Sequence, residues 1–122
     1  MAKRIIVTDD APIIRLMLRD ILTYNGYEVI KECNNGQEAV EAFTELKPDL
    51  MTLDIVMPEK DGIQALEEIL TDDDSAKIVM VTAVDQREAL MKAIRIGATD
   101  YIVKPFENDR VLSAVRKALC ED

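Results

Sequence analysis

Five short apolar runs alternate along the chain with five longer segments of helical period, and this alternation restricts the fold more than any other feature. The runs are residues 5–7, 29–30, 50–53, 78–81 and 101–103. The third and fourth are apolar almost throughout rather than alternating, as expected of strands that helices cover on both faces. Strict alternation of strands and helices predicts a parallel sheet with right-handed crossovers and helices on both sides.

The segments between these runs repeat apolar residues every three to four positions, which is the period of an amphipathic helix. Their apolar stripes are Ile14, Met17, Leu18, Ile21 and Leu22; Ala39, Val40, Phe43 and Leu46; Ile63, Leu66, Ile69 and Leu70; Leu90, Ala93, Ile94 and Gly97; and Val111, Leu112, Val115 and Leu119. Pro12 suits the first turn of a helix, and Gly97 suits a helix C-cap. No linker or repeat interrupts the pattern, so we predict one α/β domain over residues 1–122.

The composition excludes several classes of function. The 122 residues carry a formal net charge of −9, which disfavours binding to nucleic acid or to an anionic membrane surface. The sequence contains no histidine, so catalytic triads and metal sites that depend on imidazole are excluded. The longest almost wholly apolar stretch, residues 78–84, is too short to span a bilayer, and no signal peptide is visible. We therefore expect a cytoplasmic chain that makes no contact with membrane.

Polar residues stand where four of the five predicted strands end. Asp9 and Asp10 follow the first strand, Asp54 the third, Thr82 the fourth and Lys104 the fifth. Open parallel sheets bind ligands at the carboxyl ends of their strands, where the strand order reverses. In the order 2-1-3-4-5, which is borrowed from known doubly wound proteins, the first and third strands are neighbours, and three carboxylates converge there.

These residues suit phosphoryl transfer to an aspartate. Three carboxylates in one cleft repel one another unless a cation lies between them, and Mg²⁺ binds one or two carboxylates together with water and a phosphate oxygen. Lys104 offers a compact positive charge to a phosphate oxygen, and Thr82 offers a hydroxyl donor. The set therefore provides a nucleophile, a metal site and a cation. Asp9 and Asp10 also suit the N-cap of a helix that begins at Pro12, a role that Asp10 can combine with metal binding.

Four blocks of sequence carry a resemblance to a known family. They are residues 8–10 (TDD), 53–58 (LDIVMP), 82–83 (TA) and 97–106 (GATDYIVKPF). In order and spacing they resemble the receiver domains of two-component response regulators, and they look most like the stand-alone, CheY-like receivers. The resemblance covers the whole chain. It implies a flavodoxin-like fold, a doubly wound (βα)5 three-layer sandwich with parallel strand order 2-1-3-4-5.

The resemblance also implies which residues bind metal and which one is phosphorylated. Asp54 is then the phosphoacceptor. Asp10 and Asp54 coordinate Mg²⁺ directly, or Mn²⁺ in its place, and the backbone carbonyl of Val56 is a further ligand. Asp9 binds the ion largely through metal-bound water.

The remaining residues of the family pattern concern the phosphoryl group and the response to it. Thr82 and Lys104 engage the phosphoryl oxygens, and the bond between Lys104 and Pro105 is expected to be cis. Tyr101 is expected to act as a switch, turning inward as Thr82 moves toward the phosphoryl group. Such a movement would alter the surface of the fourth helix, fifth strand and fifth helix.

The expected function is a signalling switch that catalyses only its own phosphorylation and dephosphorylation, and is not a turnover enzyme. We expect a monomer that takes its phosphoryl group from a CheA-like sensor histidine kinase and then binds a target protein, with the flagellar switch of chemotaxis as the favoured target. Residues 1–84 carry 17 acidic and 8 basic side chains, whereas residues 85–122 carry seven of each. Lys92 and Arg95 form a basic ridge in the second part, where we expect partners to dock.

Two alternatives remain open at this point. A phosphorelay intermediate would use the same site and pass its phosphoryl group to another histidine-containing protein. A haloacid-dehalogenase-like phosphohydrolase also uses an aspartate nucleophile with Mg²⁺, but it requires Asp-x-Asp on its first strand. The adjacent Asp9 and Asp10 do not fit that pattern.

Overall fold

All five predicted strands and all five predicted helices are present in the computed structural model, which describes residues 2–121. The strands are β1 (Arg4–Thr8), β2 (Glu28–Cys33), β3 (Leu50–Asp54), β4 (Ile78–Ala83) and β5 (Asp100–Lys104). The helices are α1 (Pro12–Tyr24), α2 (Gly36–Leu46), α3 (Gly62–Asp72), α4 (Arg87–Ile96) and α5 (Asn108–Ala118). None of these helices is long and apolar enough to cross a membrane.

The strands form one parallel sheet in the order β2-β1-β3-β4-β5, which confirms the predicted flavodoxin-like fold. The chain adds β2 on one side of β1 and then adds the remaining strands on the other side. The strand order therefore reverses between β1 and β3, whose carboxyl ends lie side by side. Open α/β sheets bind their ligands at such a position.

Helices cover both faces of the sheet, because successive strand residues point to opposite faces and the central strands β1, β3 and β4 are apolar on both. On one face, Ile6 and Met80 belong to a core completed by α2, α3 and α4. On the other face, Val7 and Val81 belong to a core completed by α1 and α5. Burial of apolar surface in these two cores is the main force that holds the sheet in place beneath its functional edge.

The predicted helical stripes are buried at their centres but not at every member. In α1, Leu18 and Ile21 are buried, whereas Met17 is 40% exposed. In α4, Ala93 is buried, whereas Ile94 is 40% exposed. The apolar period identifies the inward side of a helix, but the width of the contact depends on how closely neighbouring elements approach.

The predicted helix boundaries at Pro12 and Gly97 are also present. Pro12 is the first residue of α1. Gly97 ends α4 with φ at 133°, a left-handed conformation that glycine adopts without steric cost. At the start of α3, Asp61 and Gln64 form a capping box, in which each side chain accepts a hydrogen bond from the other residue's amide.

Gly62 begins α3 at the point where the helix touches the end of β3. Its amide donates to the carbonyl oxygen of Ile55 at 2.7 Å. A Cβ atom at this position would lie 2.0 Å from the backbone oxygen of Asp54. Backbone atoms in a packed interior cannot yield to such a contact without moving the strand. Glycine at position 62 is therefore required for the placement of Asp54.

We expect Gly62→Ala to lower the free energy of unfolding by about 3 kcal/mol, because the new methyl group must displace the backbone of β3. Urea denaturation followed by circular dichroism measures the change. Gly26→Ala is the matched control, since an added Cβ there meets no atom of residues 2–121 within 4 Å and the φ of 91° opposes it. That strain costs about 1 kcal/mol. An equal loss of stability in the two variants would contradict the predicted clash.

Candidate phosphoryl and metal site

Three carboxylates meet at the point where the strand order reverses. Asp9 directly follows β1, Asp54 is the last residue of β3, and Asp10 lies beside them. One carboxylate oxygen of each lies within 4.8 Å of the other two. Asp9 and Asp54 are buried, whereas Asp10 is exposed. The convergence expected from the strand order is thus present, because β1 and β3 are paired and end at the same edge of the sheet.

Lys104 brings a positive charge to these carboxylates from the far side of the sheet. Its Nζ lies 3.0 Å from Oδ2 of Asp9 and 3.4 Å from Oδ1 of Asp54. β4 separates β5 from β3, so only a long side chain at the end of β5 can reach this far. The peptide bond between Lys104 and Pro105 is cis, as predicted.

The pKa of Asp54 is raised to about 7. Burial is the largest cause, the negative charge of Asp9 adds to it, and the ammonium group of Lys104 opposes both. Burial also lowers the pKa of Lys104, but its hydrogen bond to Asp9 and the negative charges of Asp54 and Asp9 outweigh burial and raise that pKa overall. One lysine therefore compensates the buried negative charge only in part.

The oxygen atoms around this charge fit a hard divalent cation. Oδ2 of Asp9 is buried and, apart from the ammonium group of Lys104, has no polar partner among residues 2–121. The ammonium group of Lys104 is shared between Asp9 and Asp54, and buried carboxylates compensated only in part favour a further cation. Asp10 adds an exposed carboxylate, and the carbonyl oxygen of Val56 accepts no hydrogen bond from the described residues. Carboxylate and carbonyl oxygens are ligands that Mg²⁺ prefers.

The loop after β1 is held by contacts that sequence reasoning missed. Ala11, and neither Asp9 nor Asp10, is the N-cap of α1, and no side chain of the described residues caps that helix. Oδ1 of Asp9 instead accepts a hydrogen bond from the amide of Ala11 at 2.9 Å. Nη1 of Arg15 donates to the backbone oxygen of Asp9 at 2.7 Å, and Nε of Arg15 pairs with Glu32 at 3.4 Å. Only the pairing of β1 with β2 shows that Glu32 lies close enough to orient this arginine.

Thr82 lies in β4 beside the site, and its side chain is buried. Among residues 2–121, no carboxylate accepts a hydrogen bond from its hydroxyl group. It donates instead to Oε1 of Gln86 at 3.1 Å and to the carbonyl oxygen of Ala83 at 3.2 Å. Sequence reasoning selected Thr82 and missed Gln86. The sequence feature that could have identified Gln86 is a polar side chain one turn after the strand, directly before α4.

Tyr101 lies in β5 with 38% of its surface exposed. The guanidinium carbon of Arg110 is 5.4 Å from the centroid of the tyrosine ring, within the range of a cation–π contact. Arg110 also donates to the carbonyl oxygen of Tyr101 at 2.5 Å and pairs with Asp100 at 3.6 Å. Sequence reasoning missed Arg110, which lies in α5 and meets the tyrosine only through the packing of α5 beside β5.

The chain belongs to the response regulator receiver domain family, whose sequence model matches residues 5–116. Among the relatives, "Chemotaxis protein CheY" of Bacillus subtilis (strain 168) is 52% identical over 119 residues, which cover 98% of this chain and 99% of the relative. "Chemotaxis protein CheY" of Thermotoga maritima is 50% identical over 117 residues, which cover 96% and 98%.

Solved structures agree with this assignment. The response regulator domain of Thermotoga maritima CheB matches the whole chain and 99% of its own length, with a TM-score of 0.88 at 33% identity. The CheX-CheY-BeF3-Mg+2 complex from Borrelia burgdorferi contains a chain with a TM-score of 0.89 at 31% identity, covering 93% of this chain and 87% of that one.

The prediction of a CheY-like receiver, a signalling switch activated by phosphorylation, is therefore confirmed. It is favoured over the phosphohydrolase and phosphorelay alternatives. Proteins of this family are signalling proteins rather than classical enzymes, and they interact with histidine kinases and with downstream targets.

The raised pKa of Asp54 predicts how stability changes with pH when no divalent cation is present. Between the usual value of 3.8 and about 7, the folded chain binds more protons at this group than the unfolded chain does. The contribution of Asp54 to the free energy of unfolding therefore falls as pH rises through this window. Asp54→Asn removes this loss. We expect its stabilisation relative to the parent to be about 1–3 kcal/mol larger at pH 8 than at pH 5.

Urea denaturation in the presence of a chelator, repeated from pH 5 to pH 8, measures this difference. Asp74→Asn is the matched control, because it removes one carboxylate from an exposed loop on which none of the site contacts depends. A stabilisation by Asp54→Asn that stays constant across the window would contradict the prediction.

Proposed function

We propose that Asp54 accepts a phosphoryl group from the phosphohistidine of a sensor histidine kinase. The observation that supports this most is the convergence of three carboxylates within 4.8 Å beside an ammonium group 3.0 and 3.4 Å from two of them. In the proposed step, a carboxylate oxygen of Asp54 attacks phosphorus, a P–O bond forms and the P–N bond to imidazole breaks. The imidazole leaves with the electron pair of that bond and takes up a proton from solvent.

We propose that Asp10, Asp54 and the carbonyl oxygen of Val56 hold Mg²⁺ or Mn²⁺ directly and that Asp9 holds it through bound water. When bound, such an ion neutralises charge on the phosphoryl oxygens and on the carboxylates. Asp9 is buried and already engaged with the ammonium group of Lys104 and the amide of Ala11, which supports the indirect role. Asp10 is exposed and open to an ion that arrives from solvent.

Lys104 and Thr82 are proposed to bind the phosphoryl oxygens once the group is on Asp54. The ammonium group of Lys104 is already 3.4 Å from Oδ1 of Asp54, so it can turn to the phosphoryl group without a change in the backbone. A charge-assisted hydrogen bond of this kind is strong in a partly buried site. Thr82 is proposed to donate its hydroxyl hydrogen to a second phosphoryl oxygen.

We propose that this movement of Thr82 reaches the surface through Tyr101. The half-exposed ring of Tyr101 and the exposed parts of Val84, Met91 and Ile94 lie on one face formed by α4 and β5. Inward rotation of Tyr101 would break its contact with Arg110 and change the shape and charge of this face. A target protein then distinguishes the two states by that difference.

The pathway is proposed from the relatives, several of which are named chemotaxis proteins. We propose a CheA-like kinase as donor and a flagellar switch as target. We also propose that the chain is cytoplasmic and monomeric and that its receiver domain spans residues 1–122. The chain catalyses its own phosphorylation and dephosphorylation and has no other substrate.

We expect incubation with a small phosphodonor and Mg²⁺ to add one phosphoryl group to the parent chain, as measured by intact mass. Asp54→Asn should gain none, because the amide is not a nucleophile for phosphorus. Asp74→Asn is the matched control and should gain as much as the parent. Chelation of the divalent ion should abolish the gain. Equal mass gains in Asp54→Asn and in the parent would contradict the assignment of the phosphoacceptor.

We expect charge reversal at the basic ridge of α4, Lys92→Glu with Arg95→Glu, to weaken partner binding several-fold and to leave the phosphorylation of Asp54 unchanged. Both side chains are exposed on α4, and reversed charges would repel an acidic partner surface. Pull-down from native extract with quantitative mass spectrometry measures binding. Lys31→Glu with Lys77→Glu is the matched control, since both lysines are exposed outside α4 and the net charge changes equally. Equal retention of partners by the two double variants would contradict the prediction.

A further inference from the structure

The hydroxyl group of Thr82 is already occupied in this structure. It lies between two acceptors, Oε1 of Gln86 at 3.1 Å and the carbonyl oxygen of Ala83 at 3.2 Å. The side chain is almost fully buried, so water does not readily take the place of either partner. A threonine hydroxyl has a single hydrogen to donate. Thr82 therefore cannot keep these contacts and also donate to a phosphoryl oxygen on Asp54.

Of the two acceptors, Gln86 is the one that a side chain supplies, and the loop holds it in a defined place. Its Oε1 also accepts a hydrogen bond from the amide of Ala83 at 2.8 Å. The backbone amide of Gln86 donates to the carbonyl oxygen of Ala83 at 3.1 Å. The backbone carbonyl oxygen of Gln86 accepts from the amide of Leu90 at 3.0 Å, within the first turn of α4. The acceptor is thus fixed from both sides before Thr82 binds to it.

Gln86 also connects the site to the start of α4. Ala93 is the single fully buried residue of α4, and no side chain in the described part of the chain caps the start of this helix. The bonds from Gln86 to Thr82 and Ala83 therefore make up much of the polar contact between the end of β4 and the start of α4. Release of the hydroxyl changes this junction, which borders the face formed by α4 and β5.

We propose that Gln86 is a positioning residue that holds the hydroxyl of Thr82 out of the phosphoryl site and so sets how readily the chain becomes active. The inference rests on the proposed function, since it requires a phosphoryl group on Asp54 that competes for the same hydroxyl hydrogen. The bond to Gln86 exists in the resting state and is lost in the active one. It therefore biases the equilibrium toward the resting state.

The test uses beryllofluoride, which binds a carboxylate as a stable mimic of a phosphoryl group. The ¹⁵N-labelled chain is titrated with it in the presence of Mg²⁺, and the amide resonances of Thr82, Ala83 and Tyr101 report the change of state. Gln86→Met keeps the length of the side chain and removes the acceptor. We expect it to lower the half-saturating concentration about three- to tenfold, as follows from the loss of one hydrogen bond in the resting state.

Two controls separate the loss of this bond from a general loosening of a helix start. Gln64→Met removes the same kind of side-chain acceptor from the capping box of α3, where Oε1 accepts from the amide of Asp61 at 3.2 Å. It should leave the half-saturating concentration unchanged. The second control places Gln86→Met in a Thr82→Val background. With no hydroxyl to release, Gln86→Met should then have no effect, and the two substitutions form a double-mutant cycle.

The possible outcomes separate this proposal from the function on which it rests. The proposal is supported if Gln86→Met lowers the half-saturating concentration in the parent chain and does not change it in the Thr82→Val background. The proposal is overturned if Gln86→Met leaves the half-saturating concentration unchanged or raises it. It is also overturned if Gln86→Met lowers that concentration equally in the parent chain and in the Thr82→Val background. If the parent chain responds to beryllofluoride and Gln86→Met has the same half-saturating concentration, the role of Gln86 is overturned and the proposed function is not. A parent chain that responds to neither beryllofluoride nor a phosphodonor overturns the proposed function as well.

Discussion

Electrostatic repulsion between buried carboxylates is the constraint on which the rest of this structure depends. Asp9 and Asp54 lie almost without exposure at one edge of the sheet, and Asp10 lies within 4.8 Å of them. A fold can hold such a cluster only by placing positive charge beside it. Lys104 does so from the opposite side of β4, and its reach depends on the strand order. The sheet therefore positions charge as much as it buries apolar surface.

Compensation of this charge is incomplete, and that incompleteness suits a switch. The pKa of Asp54 remains raised to about 7 beside Lys104, so the site still favours added positive charge. A divalent ion would supply it, and a phosphoryl group would then arrive where cations already converge. The backbone is held firm while the charges change: Gly62 fixes the end of β3, and Arg15 fixes the loop after β1. The rigid parts of the site lie in the backbone, and the changeable parts are side chains.

The path from the site to the surface consists of such changeable contacts. Thr82 is bound to Gln86, and Tyr101 is bound to Arg110, in both cases by polar contacts that can be exchanged for others at small cost. Neither contact belongs to the apolar cores. A change at Asp54 can therefore alter the face formed by α4 and β5 without disturbing the packing that holds the sheet together, because that packing is close and resists small deformation.

The sequence by itself determined the ten elements, the parallel sheet and the identity of Asp9, Asp10, Asp54 and Lys104 as its charged edge. These follow from local periodicity and from the position of each residue at a strand end, which a chain carries in its order of residues. Sequence reasoning could not find Arg15, Gln86 or Arg110, because each acts through a hydrogen bond to a backbone or side-chain atom whose place is set by packing. The state of Thr82 was likewise decided only by tertiary structure. A hydroxyl group bonds to whichever acceptor lies within about 3 Å, and that distance depends on how the loop before α4 folds back onto β4.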